Sequence, residues 1–228
     1  MTPWLSVVVP VLNEADRLAG TLSPLQDWRG RGVEVLVVDG GSTDASLQIA
    51  AGLADRVLET EAGRARQMNA GAAASQGRLL CFLHADSALD ALHLEYLRAL
   101  PAGELWGRFP VRFNDSRLSL CLVAAMMNLR SRLSGIATGD QGIFVSAALF
   151  RSAGGYPEQP LMEDIALSVC LKRLHWPRCD GPKLLADARR WQRDGVLRTI
   201  LLMWSLRFRY WCGESPEQLW RDYYGERQ

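Results

Sequence analysis

Leu5-Ser-Val-Val-Val-Pro-Val-Leu-Asn-Glu14 decides the fold. From Leu5 to Leu12 it is an almost unbroken apolar run rich in Val. That is the signature of a strand buried on both faces, as in a parallel sheet. The polar pair Asn13-Glu14 stands at its C-terminal end, and Ala15–Trp28 then reads as a helix closed by Gly30 and Gly32. The same unit recurs downstream. Val33-Glu-Val-Leu-Val-Val38 is a second buried strand, followed by the turn Asp39-Gly-Gly-Ser-Thr-Asp44, in which Ser42, Thr43 or Asp44 can cap a helix running to about Leu53. Asp55–Glu59 fits a short third strand and Gly63–Ser75 an Ala-rich helix. Leu79-Leu-Cys-Phe-Leu83 is the next buried strand, ending in His84-Ala-Asp86.

Strands that alternate with helices in this way predict an α/β domain with a mostly parallel central sheet flanked by helices. In such sheets ligands bind outside the C-terminal ends of the strands. Asn13-Glu14, Asp39 and His84-Ala-Asp86 all stand at those ends, so three polar groups are predicted to converge on one site.

The second half is less regular. Leu105–Phe113 reads as a strand and Leu118–Arg132 as an apolar helix. Gly139-Asp-Gln-Gly142 opens into the strand-like Ile143-Phe-Val145, and Met162-Glu-Asp-Ile165 begins a helix to about Leu174. Leu184–Ala188 fits a short strand before Arg189-Arg190-Trp191. No repeat, low-complexity tract or linker divides the 228 residues, so a single domain is expected.

Composition narrows the function classes. A hydrophobic fraction of 48% supports a sizeable core, and a net charge of +1 gives no reason to expect nucleic acid as a partner. The five Cys are scattered without a CxxC pair, and Cys81, Cys121 and Cys170 sit in apolar runs, which reads as reduced core residues of a cytoplasmic protein. No basic segment precedes the first strand, so no signal peptide is expected. No uncharged run reaches the roughly 18 apolar residues of a membrane span.

Four constellations can carry chemistry, and each has a plainer reading. Asp39 can accept hydrogen bonds from a base N–H or from ribose, or it can serve as a turn residue. No GxGxxG or Gly-Lys-Ser/Thr loop accompanies it, which argues against a dinucleotide oxidoreductase and an NTPase. His84 and Asp86, two positions apart across a bend, can face a metal; an Asp oxygen suits Mg²⁺ or Mn²⁺ bound to phosphates. They can also be a simple strand-end turn. Glu163-Asp164 can provide a general base, or merely favour the helix dipole. Arg190 and Trp191 can grip diphosphate and cover a sugar, or be a solvated Arg beside a packed ring.

Read in order, Ser6–Glu14, Val37–Asp44, Asn69-Ala-Gly71 with Ala74 and Gly77, and Leu80–Asp86 resemble successive motifs of the family-two glycosyltransferases. Met162-Glu-Asp164 resembles the family's Glu-Asp element, and Arg190-Trp191 the Arg-Trp of its Gln-x-x-Arg-Trp element. Gly63–Asn69, Leu83–Asp86, Gly139-Asp-Gln141, Pro160–Asp164 and Arg189–Trp191 are similar to the small bacterial selenodomain-associated transferases, commonly labelled arsenosugar-biosynthesis glycosyltransferases.

The resemblance implies a GT-A fold and transfer of a sugar from a nucleotide-sugar donor to a hydroxyl acceptor, lipid-linked or a small metabolite. It implies a nucleotide and donor site at Pro10, Asn13, Glu14, Asp39, Arg64, Arg66, Asn69, Ala85, Asp86, Arg190 and Trp191. Asp39 would meet the base, Glu14 the base or ribose, and Arg64 or Arg66 the base or diphosphate. Asp86 would bind Mg²⁺ or Mn²⁺, with His84 a weaker ligand because the family usually has Asp there. Asp164 would be the catalytic base supported by Glu163, and Asp140 and Gln141 would line the acceptor side. Asp187 stands where the family's Gln would be, which favours single addition over processive synthesis.

The expected division is a donor half over about 1–104, an acceptor half over about 105–191 and a helical segment over about 192–228. Two other functions are weighed. A sugar-phosphate nucleotidylyltransferase needs a Gly-rich basic loop after the first strand, where Asn13-Glu14 stands instead. A non-catalytic nucleotide-sugar-binding module fits His84 but not the retained acids. The C-terminal run Val196–Trp211, between Gly195 and Gly213, predicts a helix of about four turns. Packing on the body is expected, in a monomer; a membrane-surface helix and a homodimer contact are the alternatives.

Overall fold

A computed structural model describes residues 2–225. The chain runs β1 (Leu5–Val11), α1 (Ala15–Leu22), α2 (Gln26–Arg29), β2 (Val33–Asp39), α3 (Ser46–Leu53), β3 (Arg56–Glu59), α4 (Arg64–Ala74) and β4 (Leu79–Phe82). It continues through α5 (Ala91–Ala99), β5 (Trp106–Arg108), β6 (Val111–Phe113), α6 (Leu118–Ser134), β7 (Ile143–Ser146) and α7 (Ala147–Ser152). α8 (Glu163–Leu174), β8 (Leu184–Ala186), α9 (Arg189–Asp194), α10 (Val196–Trp211) and α11 (Pro216–Tyr224) complete it.

The main sheet has the order β3-β2-β1-β4-β7-β5. The first four strands pair in parallel; β7 runs antiparallel between β4 and β5. β1 and β2 are buried at almost every position, as continuous Val-rich runs require. The core lies on both faces of this sheet. One cluster gathers Leu5, Val7, Val9, Leu18, Leu22 and Val35; the other gathers Val8, Val38, Met68, Phe82, Leu167 and Leu171. Alternate residues of one strand thus feed opposite layers. Gly71 brings α4 against the sheet, since a Cβ there would stand 2.3 Å from Val8 Cγ1.

Three expectations need correction. The stretch 105–113 is two strands in different sheets: Pro110 cannot donate to a ladder, the chain turns there, and β6 pairs with β8. The helix expected over 15–28 is broken by a 3₁₀ turn at Ser23–Leu25, where Pro24 lacks an N–H. Cys121 is exposed, although all five cysteines are free.

α6 is an apolar helix but not a core helix. Leu120, Val123, Ala124 and Ser131 are buried, while Leu118, Leu122, Met126, Leu129 and Leu133 open to solvent. α10 has the predicted bounds. Its Leu206 joins Met162, Leu219 and Tyr223 in a small third cluster, yet Leu197, Leu201, Trp204, Phe208 and Trp211 are exposed. Among the described residues no helix is long and apolar enough to cross a membrane.

Candidate active site

The loops after β1 and β2 are laced together by side chains that bond to the other loop's backbone. Asn13 N–H donates to Ser42 Oγ at 2.8 Å, and Asn13 Oδ1 accepts from Thr43 N–H at 2.8 Å. Glu14 N–H donates to Ser46 Oγ at 2.9 Å and Ala15 N–H to Asp44 Oδ2 at 3.1 Å. Asn13 takes a left-handed φ of 55°, which Asn tolerates better than most residues. Behind them, buried Gln67 on α4 donates to Val11 O and Val38 O, both at 2.8 Å, and so joins the ends of β1 and β2.

This frame fixes Asp39. Its Oδ2 accepts from the N–H groups of Gly41 and Ser42, both at 2.8 Å, while Oδ1 is buried without a partner. An acceptor held in place with one free oxygen is a ready partner for a ligand N–H or hydroxyl. Glu14 is half-buried beside Arg17 at 3.3 Å; burial pushes its pKa up, against the pull of Arg17. Pro10 is the one half-buried position of β1.

Arg64, at the first position of α4, is the electrostatic centre of the site. Burial pulls its pKa down, but Glu163, Tyr224, Asp164 and Asp86 act in the other direction and the net shift is upward. Glu163 Oε1 lies 3.6 Å away. Glu163 thus pairs with Arg64, while Asp164 and Asp86 act on it only through their charge. Asp86 opens to solvent but is walled by protein, so desolvation raises its pKa; Asp140 and Asp187 raise it further by repulsion. Ala85 beneath it is buried, and its carbonyl accepts from Thr21 Oγ1 at 2.7 Å.

α8 begins in a forced conformation. Met162 has a φ of 65°, which costs a non-glycine residue about 1–3 kcal/mol. It turns Glu163 inward, 3% exposed, and leaves Asp164 half-buried. Asp164 Oδ2 accepts from Gly139 N–H at 2.8 Å and Oδ1 from Ile165 N–H at 2.7 Å. Burial raises both acids, Glu163 to about 7 with help from its neighbour Asp164. Gly139 also packs on the ring of His84, since a Cβ there would stand 2.4 Å from Nε2. Burial, aided by Arg64, holds the His84 pKa well below the usual value, so His84 is neutral. Its Nε2 is buried against Gly139.

Several other expected residues are engaged by the surrounding scaffold. Gln141 is fully buried and accepts from Thr138 N–H at 3.0 Å, while Asp140 Oδ1 is buried without a partner. Asn69 spends both ends of its amide on the Tyr156 backbone, at 2.8 and 2.9 Å. Arg66 is exposed and pairs with Glu61 and Glu158. Arg190 lies 4.3 Å from the Tyr223 ring, and Trp191 packs edge-on to Phe113 with centroids 5.7 Å apart. Gln67, Tyr223 and Tyr224 were not anticipated; the signal for Gln67 was a lone amide on the buried face of an Ala-rich helix.

Among the described residues no three His, Cys, Asp or Glu gather as a metal cage. Asp86 nevertheless fits a hard divalent cation: it is a solvent-exposed carboxylate at a point made negative by Asp140 and Asp187.

This arrangement defines a GT-A-type nucleotide-diphospho-sugar transferase fold. Solved structures support it. The chain is similar to Staphylococcus aureus TarS 1–349 in complex with UDP, with TM-score 0.65 and 21% identity over 80% of this chain and 60% of that one. It is also similar to the mannosyltransferase PcManGT from Pyrobaculum calidifontis in complex with GDP-Man and Mn²⁺, with TM-score 0.61 and 21% identity over 81% and 57%. The family model described as Glycosyl transferase family 2 matches residues 6–104. An uncharacterised glycosyltransferase of Mycobacterium tuberculosis is 32% identical over 169 residues, 68% of this chain. The match spans 63% of that relative's length.

Proposed function

We propose that the protein is an inverting glycosyltransferase that adds a single sugar from a nucleoside-diphosphate sugar to a hydroxyl acceptor. The observations that carry this are Arg64, paired with Glu163 and influenced by the charges of Asp86 and Asp164, and Asp39, held by its loop with one oxygen free.

In this reading Asp39 accepts from the base, and Glu14 and Asn13 shape the ribose side. Asp86 holds Mg²⁺ or Mn²⁺ together with the donor's own phosphates. When bound, the ion offsets the charge of the leaving diphosphate. Arg64 adds a fixed positive charge nearby, and Arg190 with Trp191 closes over the diphosphate. Asp164 takes the proton of the acceptor hydroxyl as that oxygen attacks the anomeric carbon. Its orientation is set by two N–H donors, and its raised pKa makes it a better base than a solvated carboxylate. Glu163 is too deeply buried to reach the acceptor and positions Arg64 instead. Of the described residues, those up to about 104 then form the donor half, about 105–191 the acceptor half, and about 192–225 a helical segment.

Calorimetric titration of UDP and GDP with and without Mn²⁺ tests the reading. Metal-dependent binding is expected, together with slow hydrolysis of a matching nucleotide sugar. A protein that binds nucleotide but never turns it over is a binding module instead.

The reading also places the protein on the cytoplasmic side, with membrane contact at most peripheral. The exposed stripes of α6 and α10 favour such contact, since neither helix carries an acidic residue and both carry Arg. Co-sedimentation with anionic vesicles at low and high salt measures it. A protein that stays in the supernatant at low salt removes that contact.

A further inference from the structure

A groove of about 660 Å³ lies between α6 and the small β6–β8 sheet, a volume in the range of small-molecule sites. β6 and β8 pair in parallel with Arg112 opposite Leu185, so both side chains stand on the face that is open to solvent. From α6 the groove is lined by small residues, among them Ala124 and Ala125, which leave it room. The helix is held against the sheet by Asn128, whose amide accepts from Val111 N–H and donates to Val111 O, both at 2.9 Å.

The plain reading is a surface furrow filled with water. The chemistry of the walls fits an amphiphile better. Asn128 is spent on Val111, and Asn114 Oδ1 accepts from Ala188 N–H at 2.9 Å. Asp115 is the one acid lining the groove, and Arg117 answers it: Oδ1 accepts from Arg117 N–H at 2.9 Å and Oδ2 from Nη2 at 2.7 Å, with Gln192 Nε2 at 2.8 Å. Asp187, just past β8, is likewise held by Arg189, whose N–H donates to Oδ1 at 2.9 Å. What stays open to a ligand is apolar surface from Phe113, Ala125 and Leu185, the last 36% exposed in mid-strand, and the two cations Arg112 and Lys183. Among the described residues neither cation makes an ion pair within 4.0 Å. The groove also leads toward the candidate site. Phe113 packs on Trp191, and Asn114 and Asp115 bond to residues on either side of Arg190-Trp191. Leu185 bridges Ala88, two residues past Asp86. Lys183 lies at the other end, at most about 13 Å of extended chain from Asp187.

We propose that this groove is an acceptor subsite for a small amphiphilic acid. The apolar body of the acceptor lies on Phe113, Ala125 and Leu185, its acidic group meets Arg112 and Lys183, and its hydroxyl end is directed toward Trp191. The word acceptor rests on the glycosyltransferase reading; the groove and what it binds stand on their own walls.

The test titrates butyrate, octanoate and n-octanol into the full chain by calorimetry. Octanoate is expected to bind at least about tenfold tighter than butyrate, since a fully buried methylene is worth about fourfold and octanoate adds several. Arg112→Gln combined with Lys183→Gln should weaken octanoate about two- to fivefold, the range of exposed ion pairs, and leave n-octanol unchanged. Ala125→Trp, at an exposed position of α6, should fill the groove and weaken octanoate and n-octanol alike, while UDP with Mn²⁺ binds as in wild type. Leu185→Gln attacks the opposite wall and serves should the tryptophan variant misfold. The subsite is overturned if octanoate binds no tighter than butyrate, or if its binding is untouched by the double Gln variant or by both wall variants. Should UDP fail to bind while octanoate binds as expected, the transferase reading falls and the groove stands as a ligand site.

Discussion

Replacing Asp164 with Asn separates the proton acceptor from the geometry around it. The side chain keeps its shape, but one carboxylate oxygen becomes an NH₂. Asp164 accepts from two backbone N–H groups, Gly139 at 2.8 Å and Ile165 at 2.7 Å, and Asn can satisfy only one. The other then faces a donor, a loss of about 1–3 kcal/mol. For a domain of this size each kcal/mol lowers Tm by about 2–4 °C, so Tm should fall by roughly 2–12 °C. The chemical loss is larger. Without a general base, turnover should drop about 10²–10⁴-fold, or about 3–5 kcal/mol in barrier. Asp39 and Asp86 are untouched, so the Kd for UDP with Mn²⁺ should stay close to wild type. Metal-dependent hydrolysis of a nucleotide sugar reads turnover, calorimetry reads Kd, and thermal unfolding reads Tm. Turnover reduced less than about tenfold would refute Asp164 as the base. So would a large loss in Glu163→Gln and a small one in Asp164→Asn.

Asp39→Ala should weaken UDP binding by about 1.5–3 kcal/mol, the worth of a hydrogen bond to a charged group, as read by calorimetry. Asp86→Ala should remove the Mn²⁺ dependence of that binding while leaving the far-UV circular dichroism unchanged. Glu163 is raised from 4.5 to about 7 in the folded protein, so the fold holds its proton where the unfolded chain has lost it, and stability should decline as pH rises across that interval. Glu163→Gln should flatten the decline, measured by urea unfolding at a series of pH values. Gly71→Ala should destabilise by about 1–3 kcal/mol, because the new methyl meets Val8 Cγ1 at 2.3 Å on a tightly packed face; a higher urea midpoint would contradict that packing.

The fold of the first hundred residues was legible because its signals are local. Val-rich runs can be buried only as inner strands, and the polar residue after each run must then emerge at the sheet's C-terminal edge; Asp39 and Asp86 do so. The rest was harder because its cause is tertiary. Nothing within nine residues says that 105–108 joins β7 while 111–113 joins β8; that is decided by strands 30 and more positions away. Asn69 lies in a motif that resembles a binding element, yet its amide is used to hold Tyr156, 87 residues on. Arg130 looks like a solvated charge on an apolar helix. Only the fold shows that it buries Nε and Nη2.

The lacing of the first two loops has an evolutionary consequence. Asn13, Ser42, Thr43, Asp44 and Ser46 exchange side-chain to backbone bonds across a gap of about thirty positions. A change on one side strands a donor or acceptor on the other, so neither loop can drift alone. Nucleotide preference, if it changes among relatives, should change through paired substitutions in the two loops. Grafting one loop without its mate should give a chain that folds but no longer holds Asp39 in register.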